Sequence, residues 1–303
     1  ADVTTVEEAD ELIERMVGGG KLPLFTSCCP AWVKFVEFYY PEFIPNLTTV
    51  RSPHIILGGL IKTYWAKKQN IDPKDIVVVS IMPCVSKKYE IRRKEMEING
   101  IRPVDYVLTT RELAYLLMKH NIDLKNIEPD DSCLALGMPS GAGVIFGASG
   151  GVMESALRTA CDKLAGGKLG KIEFENVRGL QGTKTAEVSV NGKTVKTVTV
   201  NGIKNAKVIL EELKKNPKAY DYVEVMACFG GCIGGGGQPI PVDEGIRRQR
   251  AAGLYSIDEK KEVRMAHKNP AVETIYKEFL GDEKIKHSIC HTKYEKKKKE
   301  VKF

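Results

Sequence analysis

Short apolar runs alternate with stretches whose apolar positions recur every three or four residues, the layout of an α/β protein. Leu22 to Thr26 and Ile76 to Ile81 read as strands, Ala31 to Tyr40 and Pro53 to Gln69 as helices. Asp105 to Leu108 is a further strand leading into a helix from about Arg111 to Lys119, with Thr110 as N-cap. A stretch rich in Asp, Pro, Ser and Gly at 121–143 marks a lobe boundary. The second half repeats the order: Gly143 to Phe146 as a strand, a glycine-marked turn at 147–151, a helix from Val152 to Leu164 and a strand at Ile172 to Asn176. The period then becomes strict alternation in Thr185 to Val190 and Thr194 to Val200, around an Asn191-Gly192 hairpin turn. A helix from Lys204 to Lys215 and a strand from Tyr222 to Met226 follow. The expected fold is α/β in two lobes, 1–130 and 131–303, each a mostly parallel sheet flanked by helices, with a small β-hairpin insertion in the second lobe.

At 303 residues the chain is long enough for one large domain or two. The apolar fraction of 43% is that of a soluble globular protein, and no apolar run reaches the roughly 18 to 20 residues of a membrane span. The net charge of +7 is mild, and the Lys296 to Lys299 run reads as a solvated tail, so no nucleic-acid role is expected. The chain starts at Ala1 without a secretion signal, as a processed or excised piece would. Eight cysteines in so long a chain do not form a secreted disulfide framework, and a reducing, cytoplasmic setting is expected. Cys133, Cys161 and Cys290 stand alone and read as buried apolar residues.

The other five lie in three marked contexts: Thr26-Ser27-Cys28-Cys29-Pro30, Met82-Pro83-Cys84-Val85-Ser86-Lys87, and Met226-Ala227-Cys228-Phe229-Gly230-Gly231-Cys232 with its following glycines. An expected strand leads into each, so the three can meet at the carboxyl ends of parallel strands. Consecutive side chains diverge, so Cys28 and Cys29 cannot both grip one metal atom. One of them, with Cys84, Cys228 and Cys232, makes a set of four thiolates for either tetrahedral zinc or a 4Fe-4S cluster. Structural zinc sites use two compact pairs and here only one pair is close, which favours a cluster between the lobes. Met82, Met226 and Lys87 beside the cysteines suit a soft, anionic cofactor.

The motifs Thr-Ser-Cys-Cys-Pro-Ala-Trp at 26–32, Met-Pro-Cys-Val-Ser-Lys-Lys-Tyr-Glu at 82–90 and Glu-Val-Met-Ala-Cys-Phe-Gly-Gly-Cys-Ile-Gly-Gly-Gly-Gly-Gln-Pro at 224–239 resemble, in order, the three signatures of the iron-iron hydrogenases. The similarity runs on through Gly141 to Arg158 and Asn269 to Tyr294. The resemblance implies reversible interconversion of H2 with protons and electrons. It implies a 4Fe-4S cluster on Cys29, Cys84, Cys228 and Cys232, with Cys232 bridging to a diiron subcluster that carries CO, cyanide and an azadithiolate bridge. Lys87 would hold a cyanide; Met82, Pro83, Met226, Phe146 and Pro53 would line the diiron pocket, together with His54 where the family commonly has glutamine. Cys28 would exchange protons with the bridgehead amine.

Glu8, Glu11 and Arg15 share one helix face, which by pattern alone is a solvated ion-pair face. The resemblance makes them a proton relay, with Thr48 at a position where serine is usual. It further implies ferredoxin or another electron-transfer subunit as partner, maturation proteins to load the diiron unit, and a preceding segment or second chain to complete the pocket. Two relatives of the same superfamily stand as alternatives, an iron-sulfur assembly protein and a hydrogen sensor, both without turnover.

Overall fold

The computed structural model describes residues 1–128, 135–167, 172–190 and 192–298. Cys133, Asn191 of the hairpin turn and Lys299 of the tail lie outside them, as does part of the 121–143 stretch. Helix α1 (Asp2–Gly18) buries Val3, Val6, Ala9 and Leu12 at helical spacing and ends at Gly19, in the left-handed conformation at φ 76°. Strand β1 is only Leu24–Phe25. Helix α2 (Pro30–Tyr39) opens on a proline, whose missing N–H costs nothing in a first turn, with Cys29 as N-cap. The long helix expected from Pro53 is α3 (Pro53–Leu60) continued by a π turn (Ile61–Trp65) and a last turn (Ala66–Gln69).

Strands β2 (Val79–Met82) and β3 (Tyr106–Thr109) come next, then helix α4 (Thr110–Lys119). The N-cap of α4 is Thr109 rather than Thr110, because Thr109 has a glutamate three residues on and the two form a reciprocal capping box with Glu112. Gly143 to Phe146 is not a strand but forms the end and C-cap of helix α5 (Gly141–Ile145), whose N-cap is Ser140. Its glycines permit close approach: a Cβ on Gly141 would lie 1.9 Å from Asp258 Oδ1, and one on Gly143 2.6 Å from Asp2 Oδ1. Helix α6 (Gly151–Leu164) follows as expected. Ile172 to Asn176 is also not a strand. The chain there turns into a 3-10 helix (Glu175–Val177) that bonds locally, Val177 N to Phe174 O at 3.0 Å, and sets Val177 into the core.

Strands β4 (Thr183–Val190) and β5 (Lys193–Asn201), helix α7 (Ile203–Lys215) and strand β6 (Tyr222–Met226) match the pattern. Helices α8 (Glu244–Lys260), α9 (Pro270–Ile275) and α10 (Glu283–Cys290) complete the described chain.

Among the described residues the strands form one four-stranded sheet, β1-β6-β5-β4, and one pair, β2-β3. β1 and β5 flank β6 in parallel, with Leu24 and Thr197 both opposite Tyr222, and β2 and β3 are parallel as well. The α/β class with parallel sheets is as expected. The β4–β5 hairpin, however, is no insertion: β5 is an interior strand of the larger sheet, with Val195, Val198 and Val200 fully buried. The sheets also do not divide the chain at residue 130, because β1 from the first part pairs with β6 from the second. α1 packs on α6 through Ala9, Leu12, Met153, Ala156 and Leu157. Burying each such leucine stabilises by about 1.5 to 3 kcal/mol. Among the described residues no helix is long and apolar enough to cross a membrane.

Candidate functional site

Strands β1, β2 and β6 run directly into the three cysteine motifs, and glycines bring the motifs into backbone contact. A Cβ on Gly235 would sit 2.1 Å from Pro83 O, and one on Gly237 2.8 Å from Cys84 N, while Gly237 N donates to Pro83 O at 3.0 Å. Gly231, at φ 84°, pairs with Ala148 across a bridge where a Cβ would lie 2.9 Å from Ser149 N. Cys29, Cys84 and Cys228 each act electrostatically on Cys232, so the four expected ligands share one region. Burial pushes the thiols of Cys29, Cys228 and Cys232 up, the last to about 12. Backbone N–H groups of Ala227 and Trp32 point at Cys29 and that of Gly236 at Cys228, which favours thiolate. Cys161 and Cys290 are instead in hydrophobic core clusters.

Cys28 is buried against Val152 and Met226, with Phe146 packed on the same group, so two expected pocket residues do meet it. Met82 packs elsewhere, on the small core of Ile55, Ile91 and Val107. Pro53 opens α3 and lines a separate apolar groove with Ile56, Leu57 and Met138. Lys87 is buried and donates to Cys28 O at 2.9 Å and to Glu90 Oε2 at 2.8 Å. That oxygen also accepts from Ser52 Oγ at 3.0 Å and lies 2.6 Å from His54 Nε2. Burial alone would raise the Glu90 carboxyl, but Lys87 and His54 outweigh it and hold it at about 2.

His54 is not a donor aimed into the pocket. Burial and then Lys87 lower its proton affinity, so the neutral ring gives Nε2–H to Glu90, and Nδ1 accepts from Ser80 Oγ at 3.0 Å. Glu90 closes the second cysteine motif, three residues after Lys87, and that spacing is the sequence signal for this buried pair.

Outward from Cys28 lie titratable groups, Glu8 and then Glu11, each acting electrostatically on the one before. Burial and then Glu8 push the Cys28 thiol well up, so it keeps its proton. Glu8 is buried, accepts from Tyr222 Oη at 2.6 Å, and is raised to about 8 by burial, with Glu11 and Glu224 acting the same way. Thr48 Oγ1 donates to Glu11 Oε2 at 2.7 Å, and Arg15 forms an ion pair with the other oxygen. Arg15 also donates to the carbonyls of Lys21, Pro45 and Leu47 at 2.9 to 3.0 Å. Of the face read as a solvated ion-pair surface, Glu8 is buried, while Glu11 and Arg15 are part-buried at the edge of a cleft. Tyr222 escaped the sequence reading because a strand tyrosine carries no mark of its partner 214 positions away.

Residues 1–236 match the family model described as iron only hydrogenase large subunit, C-terminal domain, and residues 244–297 match that of the iron hydrogenase small subunit. The chain is 44% identical over 303 residues to iron hydrogenase 1 of Clostridium pasteurianum, covering 98% of this chain and 53% of that protein. It is 30% identical over 303 residues to cytosolic iron-sulfur assembly component 3 of Pongo abelii, covering 95% of this chain and 63% of that one. It superposes on the apo FeFe-hydrogenase of Chlamydomonas reinhardtii with a TM-score of 0.85 at 35% identity, over 98% of this chain and 83% of that chain. The chain spans about half the length of curated hydrogenase relatives. Regions that match the large and small subunits are joined here in one polypeptide. By motif order, fold and family match, the chain belongs to the iron-only hydrogenase family.

Proposed function

We propose that the chain is the catalytic part of an iron-iron hydrogenase, interconverting H2 with two protons and two electrons. One observation carries the reading: Cys28, Glu8 and Glu11 are titratable groups that each act electrostatically on the next, and Glu11 lines a solvent-facing cleft, which supports a proton relay. A protein that only holds an iron-sulfur cluster has no use for such a relay, which weighs against the assembly-protein reading raised by its 30% identical relative. Retention of Cys28 at its inner end weighs against a sensor.

The donor set fits the expected cofactor. Cys29, Cys84 and Cys228 each act electrostatically on Cys232, so four thiols share one region, the ligand number of a 4Fe-4S cluster. In this proposal Cys29, Cys84, Cys228 and Cys232 hold a 4Fe-4S cluster, and Cys232 is shared with a diiron subcluster bearing CO, cyanide and an azadithiolate bridge. That cofactor supplies H2 binding, heterolytic cleavage and electron transfer.

The polypeptide supplies charge, exclusion of water and proton movement. Lys87 spends two of its three N–H groups on Cys28 O and Glu90, leaving one for an anionic ligand. Met226 and Phe146 exclude water beside Cys28. The Cys28 thiol holds a proton to give, and Glu8, neutral below about pH 8, both takes and gives one. Thr48 orients Glu11, and Arg15, permanently charged, fixes that carboxylate. Electron supply by ferredoxin or an electron-transfer subunit, loading by maturation proteins and a reducing, cytoplasmic setting belong to the same proposal. None of the seven described cysteines is in a disulfide.

Infrared spectra after maturation test the reading. CO and cyanide stretching bands are expected, and Cys28→Ala should keep them while losing turnover. An intact 4Fe-4S absorption without those bands removes the enzyme reading in favour of a cluster-binding protein.

A further inference from the structure

The relay implied by sequence ends at Arg15, and a guanidinium does not exchange protons near neutral pH. Glu11, its side chain only 11% exposed at the edge of the cleft, would exchange with solvent faster through a second titratable group. The structure supplies one. Thr49 donates to Glu11 Oε2 through both its N–H and its Oγ1, each at 3.0 Å. On its far side Thr49 Oγ1 lies 2.8 Å from His291 Nδ1, and His291 Nε2 lies 2.8 Å from Glu7 Oε2. Tyr276 Oη donates to the other Glu7 oxygen. His291 faces a cleft of about 470 Å³, and the His287 ring stacks on it at 5.5 Å.

We propose that His291 is the proton-loading group of this enzyme, exchanging protons with solvent in the cleft and passing them through Thr49 to Glu11. The proposal rests on the hydrogenase reading, which is what gives the relay traffic. Imidazole is the side chain whose ordinary range puts proton exchange near neutral pH, and its two nitrogens let it take a proton at one end and release one at the other.

Nε2 lies against Glu7 Oε2, so a proton from the cleft reaches it through that carboxylate; as Nε2 takes it, Nδ1 releases one to Thr49 Oγ1, and the threonine's own hydroxyl proton passes to Glu11 Oε2. The O–H bond at Glu7 breaks and one forms at Glu11, one N–H bond forms and one breaks, one O–H bond at Thr49 is exchanged, and rotation of the ring restores the starting tautomer. In the release direction the same bonds run backwards. From α1 the cleft receives Glu7, Asp10, Glu11, Glu14 and Arg15. From α10 it receives Glu283, Lys286 and His287. This mostly acidic lining draws hydronium and cationic buffers toward the ring.

The test uses the full, cluster-loaded chain. Side-chain ¹⁵N NMR of histidine should show the His291 ring resonances shifting on Glu11→Gln in the parent but not in a Thr49→Val background. Turnover in Thr49→Val and His291→Ala should fall by about tenfold, less than for a group acting on the reacting atoms, with a larger solvent isotope effect. Free imidazole should restore His291→Ala but not Thr49→Val, a rescue that a purely structural histidine would not give.

A His291 resonance blind to Glu11→Gln overturns the proposal. So does turnover of both variants within about twofold of the parent, which would mean that Glu11 exchanges with water directly. Failure of the hydrogenase reading appears separately, as missing CO and cyanide bands, and leaves the NMR result interpretable.

Discussion

Lys87, His54 and Ser52 converge on one oxygen of Glu90, and this buried cluster fixes the ammonium beside Cys28. Glu90→Gln leaves that ammonium without its counter-charge, and urea unfolding should show a loss of about 3 to 5 kcal/mol. Glu283→Gln, on a side chain 81% exposed, should change little. Glu8 predicts a pH dependence of opposite sense. It titrates at about 8 when folded and near 4.5 when unfolded, so between those values the folded chain holds the extra proton and stability falls as pH rises. Glu8→Gln should make that slope shallower by on the order of a few kcal/mol across the window, read from denaturation midpoints. An unchanged slope would mean that Glu8 is already ionised in the folded protein.

At the scale of elements, the turns after β2 and β6 are locked together by glycine. Gly235→Ala puts a Cβ onto a backbone carbonyl that has to move, an overpacking cost of roughly 1 to 3 kcal/mol, and bound iron should fall with it. Gly236→Ala meets nothing within 4 Å and should bind iron normally. The sequence showed that glycines mattered here but not which, since the surfaces they meet come from Pro83 and Cys84 some 150 positions away. Periodicity served well where an element has one apolar face, as in α1, α6 and the β4–β5 pair. It failed for α5, whose signal is a Ser140 cap rather than a stripe, and for α8, whose one buried residue is Asp258. That Cys29, Cys84, Cys228 and Cys232 share one region and that Glu11 pairs with Arg15 was legible because motif order carried it. Thr49 and His291 were not, because a contact across 242 positions leaves no local trace.

Across the whole molecule, the region that matches the small subunit is tied to the rest by a buried ionic knot. Asp258 on α8 accepts from Arg158 on α6 at 2.8 Å through both oxygens, and from Arg264 at 2.8 Å, with Glu154 completing the charge balance. Asp258→Asn should cost about 3 to 5 kcal/mol. Hydrogen exchange should speed up first in 244–290, and uniform loosening instead would show that the knot serves the whole core. The strand order has a further consequence for how the protein is made. Leu24 and Phe25 pair with Tyr222 and Val223, so a nascent chain carries its first cysteine motif for some 200 residues of synthesis with no partner strand. The thiol set can close only after Gln238 has left the ribosome, which makes metal insertion late relative to synthesis of the first motif. Iron supplied after translation stops should therefore fill the site as completely as iron present throughout.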